Sequence, residues 1–243
     1  MIKPKIFESA KVLHKAAADY FLSCYKNAVT EHGDFHIALS GGGTPRALYQ
    51  LLAEEPYKSA IDWQKVHCYF GDERFVAHDH QDSNFKMATE ALLSHVDFNE
   101  NHIHAVPTEL SDAKTAAEAY ENTLKKHLPK NSDQQLSFDL VLLGLGTDGH
   151  TASLFPDTTA LTEEQALCVA VYVEKMQSWR VTITFPVINQ AKHILLLSES
   201  VTKADIIKSL SEWTDPTPGY PIQRVNPQFE MCWYIDNAAG MFL

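Results

Sequence analysis

An α/β fold is what the sequence predicts: a mostly parallel, Rossmann-like sheet flanked by helices on both faces. Three observations predict it. Short apolar runs alternate with helix-patterned segments along most of the chain, and alternation of that kind builds parallel sheets with covering helices. One run, "FDLVLLGLG" at 138–146, is apolar almost without a break, as expected of a strand buried on both faces. Finally, "SGGGTP", "GDER" and "GLGTDGH" each follow a strand-like run, and such sheets bind ligands beyond the carboxyl ends of their strands.

The elements follow in order. "MIKPKIFESAKVLHKAAADYFL" reads as a short strand and an amphipathic helix. "FHIALS" (35–40) is a strand, followed by glycines and the helix "PRALYQLLAEE". "KVHCYF" (65–70) is a strand ending in "GDERF", and "SNFKMATEALLSHV" is a helix with Ser83 as its cap. "HIHAVP" (102–107) is a short strand. "SDAKTAAEAYENTLKKHL" is the clearest helix, capped by Ser111 or Asp112. After 138–146 come the strands "LCVAVYV", "RVTITF" and "KHILLLS", the helix "KADIIKSLSEW" and a last strand, "MCWYID". The Pro-rich "TDPTPGYPIQRVNP" (214–227) is a loop, since a strand still follows it. No repeat is visible, so residues 1–243 are expected to form one domain.

Bulk properties narrow the function classes. The 243 residues are 45% hydrophobic and 21% charged, enough for a core without disulfides or structural metal. A formal net charge of −11 argues against nucleic acid or an anionic membrane as the main partner. It leaves room for a small anion held by a few local cations and N–H groups. Cys24, Cys68, Cys168 and Cys232 form no CxxC pair and read as reduced thiols. The N-terminus lacks the apolar stretch of a signal peptide, so a cytoplasmic location is expected.

In "SGGGTPRAL" the glycines Gly41, Gly42 and Gly43 let the backbone approach a ligand, Thr44 can cap the next helix, and Pro45 fits its first turn. N–H groups and helix dipole then suit a phosphate; a tight turn without ligand is the competing explanation. In "GDERF", Arg74 can reach a phosphate or carbonyl oxygen, or close a salt bridge at the top of the sheet. "GLGTDG" (144–149) has the spacing of a dinucleotide fingerprint, but it lies past the middle of the chain and Pro156 soon follows. The alternative gives the work to side chains. His150 is the general base, since imidazole titrates near neutrality, and Asp148 orients it. The HxH pairs His78/His80 and His102/His104 lack a further ligand at metal-site spacing and are taken as surface or strand residues.

The motifs "SGGGTP", "GDERF", "SN" at 83–84, "GLGTDGHTASLFP", "RVTITFPVIN" and "WYIDNAA" occur in this order in 6-phosphogluconolactonases, a family this chain resembles along nearly its whole length. The resemblance implies a fold like that of glucosamine-6-phosphate isomerases. It implies hydrolysis of 6-phosphoglucono-δ-lactone in the oxidative pentose phosphate pathway, with no metal or organic cofactor. Carried over by motif, His150 is the catalytic histidine and Asp148 its partner acid, with Arg74 assisting at the oxyanion. Ser40, Gly41, Gly42, Gly43 and Thr44 form the phosphate loop, and Asp72, Arg180 and Lys203 also bind substrate. A monomer is expected, with a homodimer as the alternative.

There are departures from the family pattern. Gly43 stands where many relatives have Ser, and "SESVT" before Lys203 lacks a glycine often found there. The loop "IQRVNPQFEM" is unusual, so no substrate contact is assigned to Arg224. Amino-sugar phosphate isomerases are the nearest rival, but they carry a Glu where this chain has Phe155, which cannot move a proton. A sugar-phosphate sensor without turnover is the non-enzymatic alternative, which the Asp148/His150 pair disfavours.

Overall fold

The computed structural model describes residues 3–227 and 229–243; Met1, Ile2 and Gln228, which belong to the N-terminal and "IQRVNPQFEM" readings, lie outside the described residues. In chain order the elements are β1 (Lys5–Phe7), α1 (Ala10–His32), β2 (Phe35–Leu39), α2 (Gly43–Leu52), α3 (Tyr57–Ala60), β3 (Val66–Phe70), β4 (Asp72–Arg74) and α4 (Asn84–Ala88). They continue with β5 (Ile103–His104), α5 (Ala113–His127), β6 (Leu140–Gly144), β7 (Cys168–Val173), β8 (Ser178–Ile183), α6 (Phe185–Ile188), β9 (His193–Ser198), α7 (Ala204–Ser211) and β10 (Glu230–Asp236).

Seven strands pair in the order β1-β10-β9-β6-β2-β3-β5, and every pairing among them is parallel. Helices cover both faces, as the alternation of side chains along β2 shows. Phe35 meets Phe21 and Tyr25 of α1. On the opposite face, His36 lies in a ring stack that runs through His67 and His104 to His127 of α5. The central β6 is fully buried at Leu140–Leu143, which accounts for its unbroken apolar run.

Caps fix the helix starts. Ser9 accepts from the Val12 N–H, Ser83 from Lys86, and Asp112, of the two cap candidates for α5, from both Lys114 and Thr115. The helix expected over 83–96 is α4 followed by a wider turn at Thr89–Leu93, and the strand in "HIHAVP" is only Ile103–His104.

The "LCVAVYV" and "RVTITF" strands do not join the parallel sheet. They are β7 and β8 of a separate antiparallel sheet ordered β4-β8-β7. Only Glu174–Gln177 connects β7 to β8, far too few residues for the crossover that parallel neighbours need. Gly71 is the junction between the sheets: its N–H bonds Leu39 O in one at 2.8 Å and its O accepts from Ile183 N in the other at 2.9 Å.

Cys24, Cys68 and Cys168 are buried and Cys232 half-buried, all as free thiols; burial pushes the first three upward, so they stay protonated. No described helix is long and apolar enough to cross a membrane.

Candidate active site

The strand order reverses between β2 and β6. From β2 the chain continues outward through β3 to β5, and from β6 it continues the other way through β9 to β10. A crevice at the carboxyl ends of two such neighbours is where open α/β sheets bind ligands. A cavity of about 240 Å³ lies there, and of the predicted residues Ser40, Gly41, Gly42, Asp72, Arg74, His150, Arg180 and Lys203 line it.

The floor comes from the turn after β2. Ser40 is pinned by Tyr49 of α2, whose hydroxyl accepts from Ser40 N at 2.9 Å and donates to Ser40 O at 2.8 Å. A Cβ on Gly41 would sit 2.0 Å from Asn84 Oδ1, so a side chain there would displace the buried Asn84 amide from Asp72. Gly42, at φ 104, is the residue that caps α2. Thr44 is therefore not the cap expected from the sequence: the left-handed turn at Gly42 starts the helix at Gly43 and leaves Thr44 inside it. Gly43 and Thr44 stand behind the cavity wall in the first turn of α2, whose leading N–H groups have no intrahelical acceptor.

The antiparallel sheet supplies the opposite wall. Arg74 and Arg180 are register partners across β4 and β8. Among the described residues Arg74 has no ion-pair partner, so the salt-bridge reading of "GDERF" is corrected. One Arg74 Nη donates to Asp82 O, and Nε is buried without a partner. Arg180 is 9% exposed. Its Nη2 meets Met176 Sδ at 3.2 Å, and its Nε also lacks a partner. Burial, with the neighbouring Arg74 charge, lowers the Arg180 pKa. Two adjacent guanidinium groups with unused donors form a site that an anion relieves.

Glu73 turns away from this wall. Its carboxylate accepts the N–H groups of Arg74, Asn84 and Phe85 and the Ser83 hydroxyl, and so anchors the start of α4. Asp72 faces the cavity, with Oδ2 accepting from Ser153 Oγ at 2.6 Å and Oδ1 from Asn84 Nδ2 at 3.3 Å.

After β6 the chain turns tightly: Gly149 N donates to Gly146 O and Gly146 N to His150 O. A Cβ on Gly146 would lie 2.0 Å from His150 Nδ1. Gly149, at φ 77, lies against the Tyr220 ring. These glycines make room for side chains, and no α-helix begins at this turn to receive a pyrophosphate; the next is α6 at Phe185.

His150 Nδ1 lies 2.5 Å from Asp148 Oδ1, and the ring stacks on Phe155 with centroids 3.9 Å apart. Burial lowers the pKa of His150, against the pull of the Asp148 hydrogen bond and charge. Burial also opposes ionisation of Asp148, but hydrogen bonds from Lys175 and His150 outweigh it and hold the carboxyl down to about 2. Asp148 stands behind His150 and does not line the cavity.

Lys203 lines the cavity at the end of a turn entered through Ser200, whose φ of 79 is left-handed. The chain thus takes that bend without a glycine. Burial lowers the Lys203 pKa, opposed by Asp148. Arg224 donates to Leu161 O, a structural contact.

Reasoning from residue chemistry missed Asn84, Ser153, Met176 and Lys175, and took Phe155 only as the absence of an acid. Asn84 and Ser153 lie inside the motifs "SN" and "GLGTDGHTASLFP". Met176 and Lys175 sit at the β7–β8 turn, which no motif marks.

Residues 8–233 match the family model described as glucosamine-6-phosphate isomerases/6-phosphogluconolactonase. The chain is similar to a 6-phosphogluconolactonase of Synechocystis sp., 41% identical over 213 residues that cover 88% of this chain and 86% of that one. Among solved structures it resembles the 6-phosphogluconolactonase of Trypanosoma cruzi, with a TM-score of 0.86, 30% identity and coverage of 99% and 97%. A monomeric glucosamine-6-phosphate deaminase, at 19% identity and a TM-score of 0.80 over all of both chains, shares the fold.

Proposed function

This chain belongs to the family of glucosamine-6-phosphate isomerases and 6-phosphogluconolactonases, and we propose that within it the protein hydrolyses 6-phospho-D-glucono-1,5-lactone to 6-phospho-D-gluconate in the oxidative pentose phosphate pathway. The observation that carries this reading is the 2.5 Å contact of His150 Nδ1 with Asp148 at the wall of the switch-point cavity. Asp148 fixes the tautomer with the proton on Nδ1, and Nε2 has no partner among the described residues. Burial keeps the imidazole neutral near neutral pH, so Nε2 can accept a proton.

The substrate's 6-phosphate docks against the Ser40–Thr44 turn and the leading N–H groups of α2, with Lys203 alongside. Binding energy from this unreactive end positions the carbonyl at the other. Asp72 accepts from a ring hydroxyl, while Arg74 and Arg180 bind the lactone end. Water attacks C1 as His150 Nε2 takes its proton. The carbonyl electrons move onto oxygen, and the oxyanion is stabilised by loop N–H groups and Arg74. Collapse restores the carbonyl, the C1–O5 bond breaks, and O5 takes the proton back from the imidazolium. Residues 1–243 act here as one domain, since both sheets line the cavity.

Phe155 offers His150 a ring face and no proton, which supports hydrolysis over isomerisation. The test is turnover of freshly generated 6-phosphogluconolactone, with spontaneous hydrolysis subtracted, beside glucosamine 6-phosphate. Turnover of the lactone alone is expected; turnover of the amino sugar alone refutes the proposal.

A further inference from the structure

We propose that Lys175, at the β7–β8 turn, is a positioning residue that holds the His150–Asp148 pair in register from outside the reaction cavity; this rests on the hydrolase reading above. Each carboxylate oxygen of Asp148 has its own side-chain partner: Oδ1 takes the His150 Nδ1–H, and Oδ2 pairs with the Lys175 ammonium. The same ammonium lies 5.2 Å from the centre of the Phe155 ring. That ring stacks on the imidazole. Four side chains therefore close a circuit, Lys175 to Asp148 to His150 to Phe155 and back. The imidazole is held at its Nδ1 edge by one member and on its face by another, and Lys175 grips both.

Lys175 does not line the reaction cavity. It lines a neighbouring one, together with Asp148 and Phe155, so it acts through those groups and not on substrate. An exposed ion pair is ordinarily of little consequence. This one differs because its acid partner is the group that fixes the catalytic tautomer. The ammonium has two effects: it keeps Asp148 ionised, and its charge opposes protonation of His150. The other charges on the cavity wall around the ring, Asp72, Arg74, Arg180 and Lys203, stay in place when Lys175 is replaced.

Lys175→Met keeps an unbranched side chain of similar length beside Phe155 and removes the charge. The expected result is a kcat about tenfold lower with KM little changed, because the base is less well aimed. The acidic limb of kcat/KM should move to higher pH, since the imidazole becomes easier to protonate. Lys175→Arg should restore both.

The deciding measurement is an NMR titration of the His150 imidazole in the full chain without substrate. A titration that moves to higher pH in Lys175→Met and returns in Lys175→Arg supports the clamp. An unmoved titration overturns it, whatever turnover does, because a merely structural residue lowers turnover without changing the base. Wild-type lactone turnover is read separately. Its absence with a shifted titration sinks the hydrolase reading and leaves the clamp standing; its presence with an unmoved titration does the reverse.

Discussion

Strands β2 and β3 lead at their carboxyl ends to the reaction cavity, and toward their amino ends they carry a stack of histidines. His36 and His67 are register partners there, with ring centroids 4.3 Å apart. His102 stacks on His67, and His104 on Tyr69 and His127. Both regions bury imidazole, yet of these rings only the proposed base has a carboxylate on its ring nitrogen. His150 has a carboxylate on Nδ1. In the stack, His67 Nδ1 faces His104 Nε2 at 3.2 Å and His36 Nδ1 faces the Tyr69 hydroxyl. Neutral rings can share those contacts, but each added proton removes an acceptor and meets neighbouring cations. Burial pushes His36 down to about 2, His104 to about 3 and His67 to about 4, with the other histidines adding to it. A carboxylate partner alone does not mark a base, since His32 pairs with Asp139 and His193 with Glu230; what distinguishes His150 is such a partner together with a place on the cavity wall.

The largest expected effect tests the working end. His150→Ala removes the base, so kcat should fall by about 10²–10⁴-fold while the thermal midpoint barely moves. Steady-state kinetics beside a melting curve reads both. Near wild-type turnover would place His150 with the packing histidines.

Gly146→Ala comes next. Its Cβ would lie 2.0 Å from His150 Nδ1 and 2.7 Å from Asp148 Oδ1, so the imidazole and its carboxylate must shift from their places. A misplacement of about 1 Å can cost about 10²-fold in rate, and kcat should drop toward that scale with phosphate-analogue affinity retained. Equal turnover in the variant would show that the pair's close contact is dispensable.

Much of this arrangement was legible in the sequence. The apolar run at 138–146 revealed the buried β6, and the segments after β2, β3 and β6 do converge on one cavity. What escaped is instructive. The β7–β8 strands look like any others, because residue pattern reports burial and not partner; the four-residue connection Glu174–Gln177 was the one clue that they are antiparallel. Lys175 and Met176 reach the site only because that turn folds over it. The histidine stack was invisible because His36, His67, His104 and His127 are far apart in sequence and join only through strand register. The HxH pair His102/His104 turned out to be part of that stack, and among the described residues no group of three or more His, Cys, Asp or Glu is placed to hold a metal ion.

At the packing end, stability should depend on acid. The folded pKa values of His36, His67 and His104 lie below the unfolded value of about 6.5. Unfolding therefore takes up protons between that value and the folded ones. The stability is fully present above about pH 6.5 and is lost as pH falls toward about 4, by up to about 1.4 kcal/mol per pH unit for each such proton. The groups around the stack are His32 on α1, Asp34 before β2, His102, and Lys126 and His127 on α5; of the charged ones that face His67, Asp34 alone favours its protonation. Urea unfolding from pH 7.5 to 4.5 measures the slope, and a flat profile would remove the stack from the account.

The smallest effect at neutral pH separates the two ends most cleanly. His104→Phe keeps a ring against Tyr69 and His127 but removes the nitrogen that faces His67 Nδ1. His67 is only half-buried, so water can replace the lost partner. A ring-for-ring exchange that adds some bulk at a buried position costs on the order of 1–2 kcal/mol, and kcat should stay within about twofold because no contact of His150 changes. Below pH 6 the sign reverses: the variant no longer has a ring at 104 to protonate on unfolding, so it should lose stability less steeply than the wild type. Parallel slopes for the two proteins would mean that the acid sensitivity originates elsewhere. A fall in kcat would mean that the two ends of β2 and β3 are coupled through the sheet.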